Sequence, residues 1–265
     1  MFLYGMLTII SSNPKDWKRP QMSGPHNSGD DIAGTIHSVG SNVVGFHKGD
    51  RVAAFHQMLS PHGSFAEYAL AHDYTTFHLP KQTSFEEGAS IPLACMTAAV
   101  GLFIRLGLPE PWQKGTADGK VKDGKAGEYR AGPLLVYGAA SAVGAYTIQL
   151  AKRAGVGPII GVAGKGIPYA KSLLDESAGD VVVDYREGDD ALVEAIKKAL
   201  GGKKLKYAYD AVSEKGSYQN IAKVLDLSSS GSEDVAKLTH VLPLDKDFKH
   251  EGLKTEWTMV GTVHG

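Results

Sequence analysis

The stretch that most constrains this chain runs from Pro133 to Gly155, PLLVYGAASAVGAYTIQLAKRAG. Residues 134–137 are apolar and read as a buried strand. Residues 138–143 form a turn of small side chains, and 144–153 read as a helix with Ile148 and Leu150 placed to pack. A strand that passes through such a turn into a helix aims unpaired backbone N–H groups, and the positive end of the helix dipole, at one point. That arrangement suits a phosphate. The window Ala139 to Gly144 keeps only the last glycine of the G-x-G-x-x-G pattern, so an ordinary βα turn of another α/β fold is the competing reading. The same alternation continues downstream, with candidate strands at 158–162, 181–184, 207–212, 238–242 and 258–263. Apolar strands separated by helical stretches specify a parallel sheet covered on both faces. Six of them suit a doubly wound, Rossmann-type dinucleotide-binding sheet over 132–265.

A dinucleotide site for NAD carries an acidic residue at the tip of the second strand to accept bonds from the ribose 2′-OH. Here that tip reads Gly161-Val162-Ala163-Gly164-Lys165, without a carboxylate. A 2′-phosphate is repelled by an acid and attracted by Lys165 or Lys171, so NADP(H) is the expected cofactor. The expected cofactor contacts are Gly138, Ala139, Ser141, Ala142, Val143, Gly144, Gly164, Lys165, Lys171, Tyr185 and Val212. Tyr185 follows the third strand and either packs on the adenine edge or is a half-buried strand-end aromatic.

The first hundred residues have a different texture. Short strands at 7–11, 32–39, 51–55 and 64–71 are broken by glycine and turn residues. Ser84 with Glu87 makes a capping box, and the apolar run 91–106, with Pro92 near its start, reads as a helix leaving this β-rich region. Residues 107–131 are polar and rich in Gly, Lys, Asp and Pro, which reads as a linker or surface insertion. The expected division is therefore 1–106, 107–131 and 132–265.

Lys plus Arg number 28 against 29 Asp plus Glu, so no global field draws the chain to nucleic acid or an anionic membrane. No stretch reaches the ~18 to 20 apolar residues of a membrane-spanning helix. The apolar start, 1–10, lacks a basic region and a small-residue cleavage site, and reads as a strand rather than a secretory signal. A single cysteine, Cys95, closes no internal disulfide and supplies no cysteine cluster for zinc; a reducing, cytoplasmic compartment is expected. Cys95 sits in an apolar helix and reads as a buried thiol rather than a nucleophile.

Four segments resemble the zinc-free quinone oxidoreductase and fungal trans-acting enoyl reductase branch of the medium-chain dehydrogenase/reductase superfamily. They are NPKDWK (13–18), GDDIAGTIHSVG (29–40), GDRVAAF (49–55) with GSFAEYA (63–69), and YGAASAVGAYTIQLAK (137–152), joined by IPLACMTAAVGLF (91–103). Their order and spacing are similar to the family's over most of 5–225. The resemblance implies a GroES-like catalytic domain beside the Rossmann domain. It also implies that this copy is short at both ends, with the β domain incomplete and the terminal TMVGTVHG standing as the sixth Rossmann strand. Where zinc-dependent relatives place Cys and His-Glu ligands, this chain has Asn13 and Asp30-Asp31. Without thiolate or imidazole these make a poor zinc site, and no metal is expected.

The resemblance further implies hydride transfer to a quinone or to the β-carbon of an enone or enoyl thioester. Lys18 and Thr97 are the expected donors to substrate or cofactor, and Asn13 and Asp16 orient their loop. Lys18 as a solvated lysine after Trp17, and Thr97 as a helical threonine bonded to its own backbone, are the competing readings. Three functions follow from this. One is a stand-alone NADPH-dependent quinone or enone reductase, and another a trans-acting enoyl reductase serving a polyketide synthase. The third is a cofactor-binding module without activity. The family's last Rossmann strand often pairs across a homodimer, so that assembly is an expectation here too.

Overall fold

This computed structural model describes residues 2–18, 27–112, 131–228 and 235–265. The chain divides into two units, residues 1–96 with 260–265, and residues 97–259.

The first unit is a five-stranded antiparallel sheet. Its strands are β1 (Phe2–Ser11), β2 (Asp31–Val39), β3 (Arg51–Phe55), β4 (Tyr68–His72) and β5 (Thr76–His78), in the order β4-β1-β2-β3-β5. Neighbouring residues of the central strands feed opposite faces: Ile32 and Ala54 pack with Ala69 and Ala71, whereas Ala33 and Ala53 pack with Leu79 and Ala89. A five-residue helix, α1 (Pro14–Lys18), follows β1, and α2 (Phe85–Ala89) covers the Leu79 face. The capping box starts α2 as expected: Glu87 N donates to Ser84 Oγ at 3.1 Å and Ser84 N to Glu87 Oε2 at 2.8 Å. The strand expected over 64–71 begins only at Tyr68. Ser64 N donates to Gly29 O and Ala66 N to Ser64 O, while the Asn27 side chain takes Gly63 O and Phe65 N, so the backbone of 63–66 is committed elsewhere.

Within the run 91–106 the chain is helical over 92–105, as α3 (Pro92–Ala99) widening into a π-turn over Val100–Arg105. The Tyr209 hydroxyl donates to Thr97 O at 2.8 Å, and a Cβ on Gly101 would collide with the Tyr209 ring. A side chain inserted against the helical ladder is a recognised cause of such widening. The insertion expected over 107–131 lies outside the described residues from 113 to 130.

The second unit is a parallel sheet of β6 (Leu134–Tyr137), β7 (Ile159–Ala163), β8 (Val181–Asp184), β9 (Tyr207–Asp210), β10 (Ala236–His240) and β11 (Leu253–Trp257). Its order is β11-β10-β9-β6-β7-β8, the doubly wound pattern whose direction reverses between β6 and β9. Leu134 and Val136 pack with Ile148 and Ala151 of α4 (Ala142–Arg153); Leu135 packs with Leu192 and Ile196 of α6 (Asp189–Leu200) on the other face. Helices α5 (Ile167–Leu173) and α7 (Ser217–Ala222) complete the two layers.

A second strand expectation is corrected. The sixth strand is Leu253–Trp257, and Val260–His264 is a 3-10 turn packed, through Val260, with Phe55 and Leu93 of the first unit. LKTEW is a half-exposed edge strand, in which charge alternates with apolar residues. The more apolar segment after it misled a reading based on buried strands.

Candidate cofactor and catalytic sites

Gly138 ends β6 at φ +83°, a conformation L side chains rarely adopt, and Gly138 N and Ala139 N both donate to Val162 O on β7. Ser141 caps α4, its Oγ accepting from Gly144 N at 3.0 Å. The amides of Ala140, Ala142 and Val143 have no acceptor among the described residues. Side chains could not replace these glycines. A Cβ on Gly144 would strike the Gly138 carbonyl, and one on Gly138 would lie 2.5 Å from Val212 Cγ2. The turn is thus a cradle of bare peptide with free donors at a helix N-terminus, and it fits a diphosphate.

The tip of β7 folds onto this turn. A Cβ on Gly166 would strike Ala140, and one on Gly164 would lie 2.7 Å from the Tyr185 ring. The structure therefore brings Gly138, Ala139, Ser141, Gly144, Val212, Gly164 and Tyr185 into one neighbourhood. Lys165 is exposed at the tip, and Tyr185 is 48% exposed on its outer face. Lys171 lies on α5 and pairs with Glu176 at 3.7 Å. Beside Tyr185, the exposed Arg186 grips Asp184 through two nitrogens, and that bond holds the Asp184 carboxyl down at about 2.

Asp210, at the end of β9, carried no sequence signal. Fully buried, it accepts from Val212 N, Ser213 N and, at 2.5 Å, Ser217 Oγ, and so bends the chain after the strand and presents Val212 to Gly138. Burial raises its pKa, and burial with the nearby Asp210 charge pushes Tyr137 up to about 12.

The second cluster lies in the first unit. Asn13 Nδ2 donates to Asp31 Oδ2 at 2.7 Å, and Leu93 N, in the first turn of α3, donates to Asp31 Oδ1 at 2.7 Å. Asn13 N bonds Asp16 Oδ2 at 2.8 Å. Lys15 Nζ stands 2.6 Å from both Asp16 Oδ1 and Asp30 Oδ2 and also donates to Ser28 O. Burial raises the pKa of Asp30, and pushes that of Asp31 up to about 6 against the opposing pull of Asn13 and Leu93. These oxygens are engaged by nitrogen donors, and among the described residues no thiolate or imidazole nitrogen bonds to them, so the set does not fit zinc.

Lys18 ends α1, its Nζ 5.4 Å from the centroid of the Trp17 ring. Thr97 is buried on α3 and belongs to the other unit. The structure thus brings Asn13, Asp16 and Asp31 together, with Lys18 at the far end of the same short helix. Cys95 is half-buried and its thiol is raised by burial, the state of an unreactive cysteine.

Residues 7–81 match the alcohol dehydrogenase GroES-like domain family. The chain is 45% identical over 263 residues to the trans-enoyl reductase fsr4 of Gibberella fujikuroi, covering 97% of this chain and 72% of that protein. The chain belongs to the medium-chain dehydrogenase/reductase superfamily. The quinone oxidoreductase of Rattus norvegicus is 31% identical over 207 residues, 78% of this medium-chain reductase and 53% of that protein. The crystal structure of a quinone oxidoreductase from Pseudomonas syringae shares the fold with a TM-score of 0.69 at 20% identity, covering 98% of this chain and 74% of that one. Membership makes this protein an oxidoreductase with a nicotinamide cofactor, which the turn at 138–144 suits.

Proposed function

We propose that this reductase uses NADPH to saturate the C=C bond of an enoyl thioester, presented on the carrier of a polyketide synthase. The observation that carries the substrate class is the breadth of likeness to a trans-enoyl reductase, 45% identity across 97% of the chain, against 31% across 78% for a quinone oxidoreductase. NADPH rather than NADH is supported by the β7 tip, where Lys165 stands exposed and no carboxylate is present.

When bound, the cofactor supplies a hydride. The chain's own residues do the rest. The free amides of Ala140, Ala142 and Val143 receive the diphosphate charge, and Lys165 receives the 2′-phosphate. Reduction of an enoyl thioester builds negative charge on its carbonyl oxygen, which is stabilised by donors fixed in place beforehand. On this reading Lys18 Nζ, at the end of α1 in the first unit, is such a donor.

The test is turnover with crotonyl-pantetheine, a carrier-bound enoyl chain and a small quinone, each with NADPH and with NADH. The expected result is enoyl reduction with NADPH, faster on the carrier. Quinone reduction without enoyl reduction would reverse the substrate, equal use of NADH would reverse the cofactor, and tight NADPH binding without turnover would leave an inactive module.

A further inference from the structure

We propose that Asp31 is a positioning residue for the reduction, a clamp that fixes the placement of the Lys18 helix against α3. The proposal rests on the reading above for what Lys18 does, and on side-chain geometry for the clamp itself.

Helix α1 cannot hold its own place. Five residues are far too few for a helix to persist alone. Apolar burial does not anchor it either, since Asp16 is its only buried residue and Trp17 is 60% exposed. Its described ties are polar. Lys15 reaches Asp16, Asp30 and Ser28 O, Ser28 Oγ donates to Asp16 O, and Asn13 reaches Asp31. Among these, Asp31 alone also bonds a helix of the hydrophobic layer. One carboxylate oxygen takes Asn13, 18 residues away, and the other takes the Leu93 amide, 62 residues away.

Asp31 is 1% exposed and stands beside Ile32 at the start of a strand whose next residues are buried and apolar. A buried carboxylate there contributes little net stability compared with an apolar residue, and what such groups most often secure is one geometry among several. A small displacement of a donor at a reacting centre costs much of its effect, so a clamp on α1 registers in kcat.

The experiment is a donor–acceptor exchange read at pH 8. Asn13→Asp places two carboxylates face to face and opens the clamp. Adding Asp31→Asn restores one donor and one acceptor, with the new amide oxygen at position 31 still able to accept from Leu93. The expected result is a loss of about thirtyfold in kcat for N13D, with the Km for NADPH unchanged, and recovery to within about threefold in N13D/D31N. Asp31→Leu, which keeps volume but removes both acceptors, falls as far as N13D. D31N alone also loses kcat, because it sets an amide donor at position 31 against the Asn13 amide donor.

A second readout needs no turnover. With Trp112 and Trp257 replaced by Phe, Trp17 is the last of the three tryptophans, and its anisotropy follows α1. It falls in N13D and recovers in the exchange variant. Unchanged kcat and anisotropy in N13D, or no recovery in N13D/D31N, would overturn the clamp. Recovery of anisotropy in an enzyme whose wild type reduces no enoyl thioester would instead overturn the functional reading and leave the clamp standing.

Discussion

The turn at 138–144 and the cluster around Asp31 solve one problem, holding groups still for chemistry, by opposite means. The turn uses backbone: Gly138 at positive φ, a glycine at 144 pressed on a carbonyl, and amides with nothing in front of them. Its described groups keep their form across the working pH range. The cluster uses side chains: three buried acids, one lysine and one asparagine, in which each bond depends on a proton being in the right place. A backbone device fails through added volume, whereas a side-chain device fails through altered charge.

The largest effect is therefore expected from Gly144→Val. The new Cβ meets the Gly138 carbonyl, which the strand cannot move, and overpacking of this kind costs about 3 kcal/mol. NADPH titration by fluorescence should show binding weakened more than about a hundredfold, equivalent to about 2.7 kcal/mol. Near-normal binding in a folded variant would remove the backbone half of the contrast.

Next comes Lys15→Met, which keeps the length of the side chain and removes its charge. Asp16 and Asp30, with side chains 3% and 2% exposed, are left without their cation. Removing one partner of a buried pair costs about 3 kcal/mol at the low end, the end that applies because Lys15 is itself 18% exposed. Thermal unfolding should report the loss, with Asn13–Lys18 amides exchanging faster than those of the parallel sheet. An unchanged midpoint would mean that the acids simply take up protons.

The same contrast decided what the sequence could disclose. The parallel sheet and the turn were legible because each is a local pattern: apolar runs, small residues and a strand before a helix. β3 and β6 lie at 51–55 and 134–137, where they were expected. The sixth strand was misplaced because its edge position leaves it half polar. Residues 64–67 were misread because Asn27 and Gly29, far back in the chain, take their backbone bonds. The roles of Asp31 and Asp210 were illegible for the same reason. An acid reads as surface until the structure supplies the distant donors that make burial tolerable.

Lys165→Ala sharpens the contrast within the cofactor end. The cradle is indifferent to which dinucleotide it holds, whereas an exposed lysine at the β7 tip distinguishes the phosphorylated ribose. The Kd for NADPH should rise about tenfold, a change of about 1.4 kcal/mol, while that for NADH stays constant. Equal weakening of both would place Lys165 on the diphosphate instead.

The smallest effect separates the two regions by pH. Burial sets the Asp31 pKa at about 6 in the folded protein, above the ordinary 3.8. The folded state therefore binds this proton more tightly than the unfolded chain does. The contribution of Asp31 to stability is fully present below pH 3.8 and is lost as pH rises through 6. Activity runs the other way. A protonated carboxyl has a hydroxyl where Asn13 or Leu93 now donates, so acidification opens the clamp even as it favours the fold. The kcat should halve near pH 6 relative to pH 8, and D31N, which has no proton to gain, should lack that limb. The difference in unfolding free energy between wild type and D31N should shift in favour of wild type as pH falls from 7 to 4, isolating Asp31 from the other titrating acids. Binding of NADH to the cradle, which no titrating side chain forms, should stay level over the interval where kcat falls. If kcat and NADH affinity decline together, the proton acts on something common to both regions, and the division between a backbone-built end and a charge-built end does not hold.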